Sequence, residues 1–140
     1  MPDTHTEAAA RAWRGMRALV LEEHARKKKE VCEALDMSFV RVQALRQVAE
    51  GPLTMRELAA RLQTDAPYTT LVVDDLEKRE LVRREPHPAD RRAKVVVATA
   101  AGRDASALAE GILDQPPPSL LALSSEDLAT LAAVIGRLRR

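Results

Sequence analysis

The chain has 140 residues, 46% of them hydrophobic and 31% charged. That suits one folded domain, or one compact subunit with extensions, and excludes a disordered chain. A net charge of +1 excludes a polycation as a whole. With Trp13, Phe39 and Tyr68 as its aromatics, the protein must build its core mostly from Leu, Val and Ala.

The charge is unevenly placed. Lys78, Arg79, Arg83, Arg84, Arg91, Arg92 and Lys94 face only Glu80, Glu85 and Asp90 in the same stretch, whereas residues 104–136 contain no Lys or Arg. One region is suited to an anion and the other is not. The single cysteine, Cys32, rules out an internal disulfide framework. The first twenty residues lack the apolar core of a leader, and no segment approaches the roughly 20 apolar residues of a membrane span, so the expectation is a cytoplasmic protein without membrane contact.

Residues 7–35 read as a long helix, with Trp13, Met16, Val20, His24, Val31 and Leu35 near one face. The run Arg26-Lys27-Lys28-Lys29 reads as a solvated face. A second helix over 38–50 turns Phe39, Val42, Leu45, Val48 and Ala49 inward and ends at Gly51-Pro52. Thr54 and Glu57 form a T-x-x-E capping box that opens a short helix with Met55, Leu58, Ala59 and Leu62 on one side. After a turn at Gln63-Thr64, Asp65 can N-cap a helix running to about Arg79, with Pro67 tolerated in its first turn.

Two short strands follow, at 81–85 and at Val95-Val96-Val97, joined by a long basic loop containing Pro86, Pro88 and Asp90. Thr99 can cap a helix to about Leu113, which the prolines at 116–118 stop. Ser124 and Asp127 form another cap pair, and Leu128, Leu131, Ile135 and Leu138 line the last helix. The fold expected is mainly α with a small β-hairpin: a winged helix-turn-helix over 37–98, with helices from 1–36 and 99–140 forming a dimerisation layer.

That constellation has a direct physical use. The helix at 65–79 can present its first turn to base edges in a major groove, where its N–H groups also favour phosphate. The hairpin loop can carry Arg91 or Arg92 into the adjacent minor groove. Asp90 could hold one of them extended through a charge-assisted hydrogen bond.

In LTMRELAARL (53–62), VVDDLE (72–77), LVRR (81–84), DRRAK (90–94) and the T-x-x-G of Thr99 to Gly102, the chain resembles the MarR family of bacterial transcription regulators. The resemblance covers nearly the whole chain, and its most specific element is D-R-R followed by a strand and T-x-x-G. It implies a homodimer reading a pseudo-palindromic operator in double-stranded DNA, with half-sites about one turn, roughly 34–36 Å, apart. It further implies repression relieved by a small, often aromatic ligand bound between the dimer layer and the DNA-binding domain, and in some members oxidant sensing through cysteine.

Residue by residue, Ala66, Pro67, Tyr68, Thr69 and Thr70 match the exposed start of the family's recognition helix and are expected at bases and phosphates. Asp90, Arg91, Arg92 and Lys94 match the wing; Arg83 and Arg84 would steer phosphates. Leu71 and Asp75 stand where relatives often have Arg, and Glu80 where they usually have Gly. Glu80 must therefore accept a left-handed conformation or end the helix differently.

Several other readings compete at single positions. Cys32 could be an oxidant sensor with Lys28 and Lys29 one turn away, or a small buried hydrophobe. His5, His24 and His87 are too scattered for a metal site. Trp13, Met16, Val20 and Phe39 could line a ligand cavity or be plain core. Asp74 and Asp75 point apart on a helix, and no nucleophile, phosphate-loop or metal-ligand motif accompanies them, so neither an enzyme nor a cofactor is expected. The rival to a DNA-binding regulator is a helical dimer that binds a small molecule or protein without useful DNA binding.

Overall fold

A computed structural model describes residues 4–140. In chain order these form α1 (Thr4–Leu35), α2 (Phe39–Glu50), β1 (Leu53–Thr54), α3 (Met55–Leu62), α4 (Ala66–Lys78), β2 (Val82–Pro86), β3 (Lys94–Ala98), α5 (Ala100–Leu113), α6 (Pro118–Leu121) and α7 (Ser125–Leu138). The fold is mainly helical with a small antiparallel sheet, as the sequence pattern implies.

The caps sit where the sequence places them. Thr54 Oγ1 accepts from Glu57 N–H, and Glu57 Oε1 accepts from Thr54 N–H, both at 3.1 Å. The Thr54 backbone N–H, followed by its side chain, holds the Glu57 carboxyl below its ordinary range. Asp65 Oδ1 accepts from Tyr68 N–H at 2.8 Å, Thr99 Oγ1 from Gly102 N–H at 3.0 Å and Ser124 Oγ from Asp127 N–H at 3.1 Å. Each cap satisfies an N–H group that the helix itself leaves unpaired.

The sheet has three strands in the order β1-β3-β2. β2 and β3 pair from Val82↔Ala98 to Pro86↔Lys94. The third strand, absent from the sequence reading, is the pair Leu53-Thr54 set against Val96 and Val95. Two residues carry no detectable period-2 pattern, so nothing local marked it. The short α6 was also unread, because the triple proline there reads only as a helix stop.

One core gathers Val42, Leu45 and Val48 of α2, Leu58 of α3, Val72, Val73 and Leu76 of α4, and Val82, Val96 and Ala98 of the sheet. Val31 of α1 and Ala109 of α5 close it from the other side. Burial of this kind stabilises at about 25 cal/mol per Å² of apolar surface. The anticipated stripe on α1 is only partly used: Val31 is buried, whereas Trp13, Met16 and Val20 are exposed. α7 has no buried residue at all. No helix among the described residues is long and apolar enough to cross a membrane.

Candidate nucleic-acid interface

α3 and α4 are joined by a three-residue turn whose first residue, Gln63, is left-handed at φ 55°. Gln63 N–H donates to the Ala60 carbonyl and Thr64 N–H to the Ala59 carbonyl, which closes α3 and redirects the chain into α4. Thr69 then locks the turn. Its hydroxyl reaches the Asp65 carbonyl at 2.8 Å and Thr64 Oγ1 at 2.7 Å.

That geometry corrects one expectation. Thr69 is only 1% exposed, so it positions the start of α4 and is not on the reading surface. Ala66, Pro67, Tyr68 and Thr70 are exposed, with Thr70 Oγ1 bonded back to the Ala66 carbonyl at 3.0 Å. Arg56, unremarked in the sequence, is exposed on α3 and lines a groove with Ala66 and Thr70. The capping box that fixes the start of α3 was the signal that could have placed it outward.

The wing loop is tied by its own backbone. His87 N–H donates to the Ala93 carbonyl at 3.0 Å, and Ala93 N–H to the Asp90 carbonyl at 3.1 Å. Ala89 N–H donates to His87 Nδ1 at 3.0 Å. Asp90 Oδ1 accepts from the Arg92 backbone N–H at 3.0 Å. The expected role of Asp90 is thereby corrected: it shapes the turn as an Asx motif and does not extend a guanidinium. Arg91, Arg92 and Lys94 are exposed, and no described acidic group forms an ion pair with them.

The first wing strand departs further from expectation. Arg84, anticipated at phosphate, spends its guanidinium on α4: Nη2 donates to Asp74 at 2.7 Å and Nη1 to Glu77 at 2.8 Å. Its side chain is 21% exposed. It is a strut between wing and recognition helix. Arg83 pairs along its own strand with Glu85 at 2.6 Å.

Asp75 points the other way, as the helical spacing of 74 and 75 requires. Its Oδ2 accepts from Arg41 Nε of α2 at 2.9 Å and Arg79 Nε at 3.0 Å, and Arg79 Nη1 reaches the Asp36 carbonyl at 2.8 Å. Partial desolvation pushes the Asp75 carboxyl up; the hydrogen bonds and charges of Arg79 and Arg41 outweigh it, and the net shift is downward. α4 is thus braced on both flanks by carboxylates paired with arginines of α2, of β2 and of its own C-terminal end.

Behind this surface lies a cavity of about 400 Å³ between α1, α2 and the segment 113–120. Of the four side chains that could line a cavity or be plain core, Val20 and Phe39 line it, together with Glu23, His24, Lys27 and Arg46, and Trp13 and Met16 do not. The His24 ring meets Phe39 edge-on at 5.5 Å, and Lys28 Nζ stands 5.4 Å from the same ring. Glu23 pairs with Arg26 through one oxygen, and its buried Oε2 has no partner. Cys32 is half-buried against the core. Among the described residues no three His, Cys, Asp or Glu side chains are grouped as metal ligands would be.

Comparison with known proteins agrees with this geometry. A sequence model described as the MarR family matches residues 35–93. MepR, a transcription regulator of the Staphylococcus aureus multidrug efflux pump MepA, is 20% identical at a TM-score of 0.74, over 88% of this chain and 92% of that one. MarR of E. coli is 22% identical at 0.67, over 86% and 94%. S. aureus MepR in complex with DNA is 20% identical at 0.62, over 88% and 98%. No curated protein matches the sequence significantly. Residues 35–93 are thus similar to the MarR family, and the chain as a whole has the fold of MepR and MarR, a winged helix-turn-helix flanked by helices.

Proposed function

We propose that the protein is a sequence-specific DNA-binding transcription regulator that acts as a homodimeric repressor and is released by a small molecule. One observation carries the DNA reading. α4 exposes its first turn and is tied through Arg84 to a wing whose loop carries Arg91 and Arg92 without an acidic partner among the described residues. Unpaired guanidinium groups on a braced hairpin suit a narrow, electronegative minor groove. Exposed Arg56 of α3 and Lys94 of β3 would add phosphate contacts.

The homodimer reading rests on the apolar side chains left bare on α1 and α7 and on the family resemblance. The ligand reading rests on the cavity. Its wall of Leu19, Val20, Phe39 and Leu113 suits an aromatic ring, and Glu23 Oε2 offers an unused acceptor to a donor group on the ligand. The rival, a helical dimer without useful DNA binding, rests on Leu71, Asp75 and the net charge of +1. Asp75 is explained by its two arginine partners, so it no longer argues against DNA binding.

The test is binding of purified protein to DNA flanking its own gene, with wild type and Arg92→Ala compared at two salt concentrations. Saturable binding that beats random competitor, and falls by about 1–3 kcal/mol in the variant, is the expected result. Binding equal to competitor in both proteins, there and in a genome-wide fragment selection, would overturn the reading.

A further inference from the structure

The exposed face of α4 has an unusual chemistry for a helix that reads bases. Its first three turns, Ala66 to Glu77, contain no Arg, Lys, Asn or Gln. Those are the side chains that make bidentate hydrogen bonds to guanine or adenine in the major groove. What the face offers instead is apolar. Pro67 and Leu71 lie one turn apart, and Leu71 is 56% exposed. Thr70 has committed its hydroxyl proton to the Ala66 carbonyl, so it presents its methyl group. Beside them runs a groove of about 330 Å³ whose walls are Met55, Ala59, Ala66, Thr69 and Thr70, with Arg56 its one charged side chain.

The acidic end of the helix does not alter this. Asp74 pairs with Arg84 at 2.7 Å, a guanidinium it shares with Glu77, and Asp75 pairs with Arg41 at 2.9 Å, so each carboxylate that borders Leu71 has an arginine partner. The apolar surface of Pro67, Leu71 and the Thr70 methyl group has one matching feature in the major groove. That feature is the 5-methyl group of thymine, the apolar mark on a base edge there.

Building on the DNA-binding reading above, we propose that the protein reads its operator through thymine 5-methyl groups, with Leu71 and Pro67 as the specificity-determining side chains. Tyr68 supplies the hydrogen-bonding capacity on this face, and the wing supplies affinity without base identity. Because 5-methylcytosine presents the same methyl group at the same place, it substitutes for thymine as a hydrophobic contact where the pairing edge is not read.

The experiment selects binders from a duplex pool with a randomised central region, then remakes the best binder with deoxyuridine at each thymine in turn. Deoxyuridine keeps the base pair and removes only the methyl. Losing one buried methyl should weaken binding roughly three- to fivefold. The expected result is such a loss at one or two thymines per half-site for wild type, shrinking below twofold in Leu71→Ala. Leu71 is a surface residue, so a matching thermal melt checks that the variant is folded. A clear consensus whose affinity is indifferent to deoxyuridine would overturn the inference and leave DNA binding standing. A methyl preference that persists unchanged in Leu71→Ala and in Pro67→Ala would overturn the assignment of these residues. A selection with no consensus would instead remove the DNA-binding reading beneath it.

Discussion

Arg84 of the first wing strand and Asp74 of the recognition helix meet at 2.7 Å, and Glu77 one turn on completes a fork at 2.8 Å. The wing and the helix are therefore set at a fixed angle by a guanidinium that faces protein. Arg84→Met should reduce DNA affinity by loosening that angle. It should also cost about 1 kcal/mol or less of stability, since all three groups are partly exposed. The salt slope of binding separates this from a phosphate contact. Arg92→Ala should lower the slope by about one, and Arg84→Met should leave it unchanged. A lowered slope in Arg84→Met would mean that the guanidinium leaves its carboxylates to reach DNA.

Gly102 sits where α5 comes down on the turn after α4. A β-carbon there would collide with the Leu81 carbonyl oxygen and crowd Leu45. Thr99 explains why the approach is so close: it donates its hydroxyl to the Glu80 carbonyl at 2.7 Å while accepting from Gly102 N–H. Gly102→Ala should therefore destabilise the fold by about 1–3 kcal/mol through overpacking. Gly111, on the same helix with nothing near it, should gain about 0.5–1 kcal/mol as alanine. Chemical denaturation of the two variants should move the midpoints in opposite directions.

The same corner shows how much of the architecture was legible in the sequence. Capping residues are local signals, and Thr54, Asp65, Thr99 and Ser124 each cap the helix they mark. Glu80 in place of glycine raised two alternatives, and the backbone takes the left-handed one, at φ 61°. Leu81 N–H to the Leu76 carbonyl and Glu80 N–H to the Glu77 carbonyl complete that helix end. What could not be read was anything whose partner is distant in sequence. Arg84 looked like one more basic residue because Asp74 and Glu77 lie across a turn from it. Thr69 looked exposed because its neighbours are, although its hydroxyl closes the turn. Strand β1 exists only because Val95 and Val96 come back to pair with it.

The Arg41–Asp75–Arg79 cluster makes a prediction about acid. The folded-state pKa of Asp75 lies below its unfolded value. Its contribution is therefore fully present above the ordinary carboxylate range and is lost as pH falls through the folded pKa. Asp75→Asn should be less stable than wild type at neutral pH, with the difference closing from about pH 4 downward. A stability gap that is constant across that range would mean that packing, and not the charge, accounts for the effect of the substitution.

α7 carries an apolar stripe that the rest of the chain leaves exposed. Its stripe ends in Ile135 and Leu138, the latter 65% exposed, and α1 leaves Trp13 62% exposed. No residue of α7 is buried. In a monomer, Ile135→Asp would be a surface change worth no more than about 0.5 kcal/mol. In a homodimer the same substitution places a charge in an apolar interface and leaves it without a partner. The expectation is a monomer by sedimentation. The wild-type melting temperature should rise with protein concentration, and that of the variant should be lower and independent of it. Operator binding should weaken in parallel, because two linked half-sites are replaced by one. A variant that stays dimeric with an unchanged melt would place the interface elsewhere than on α7.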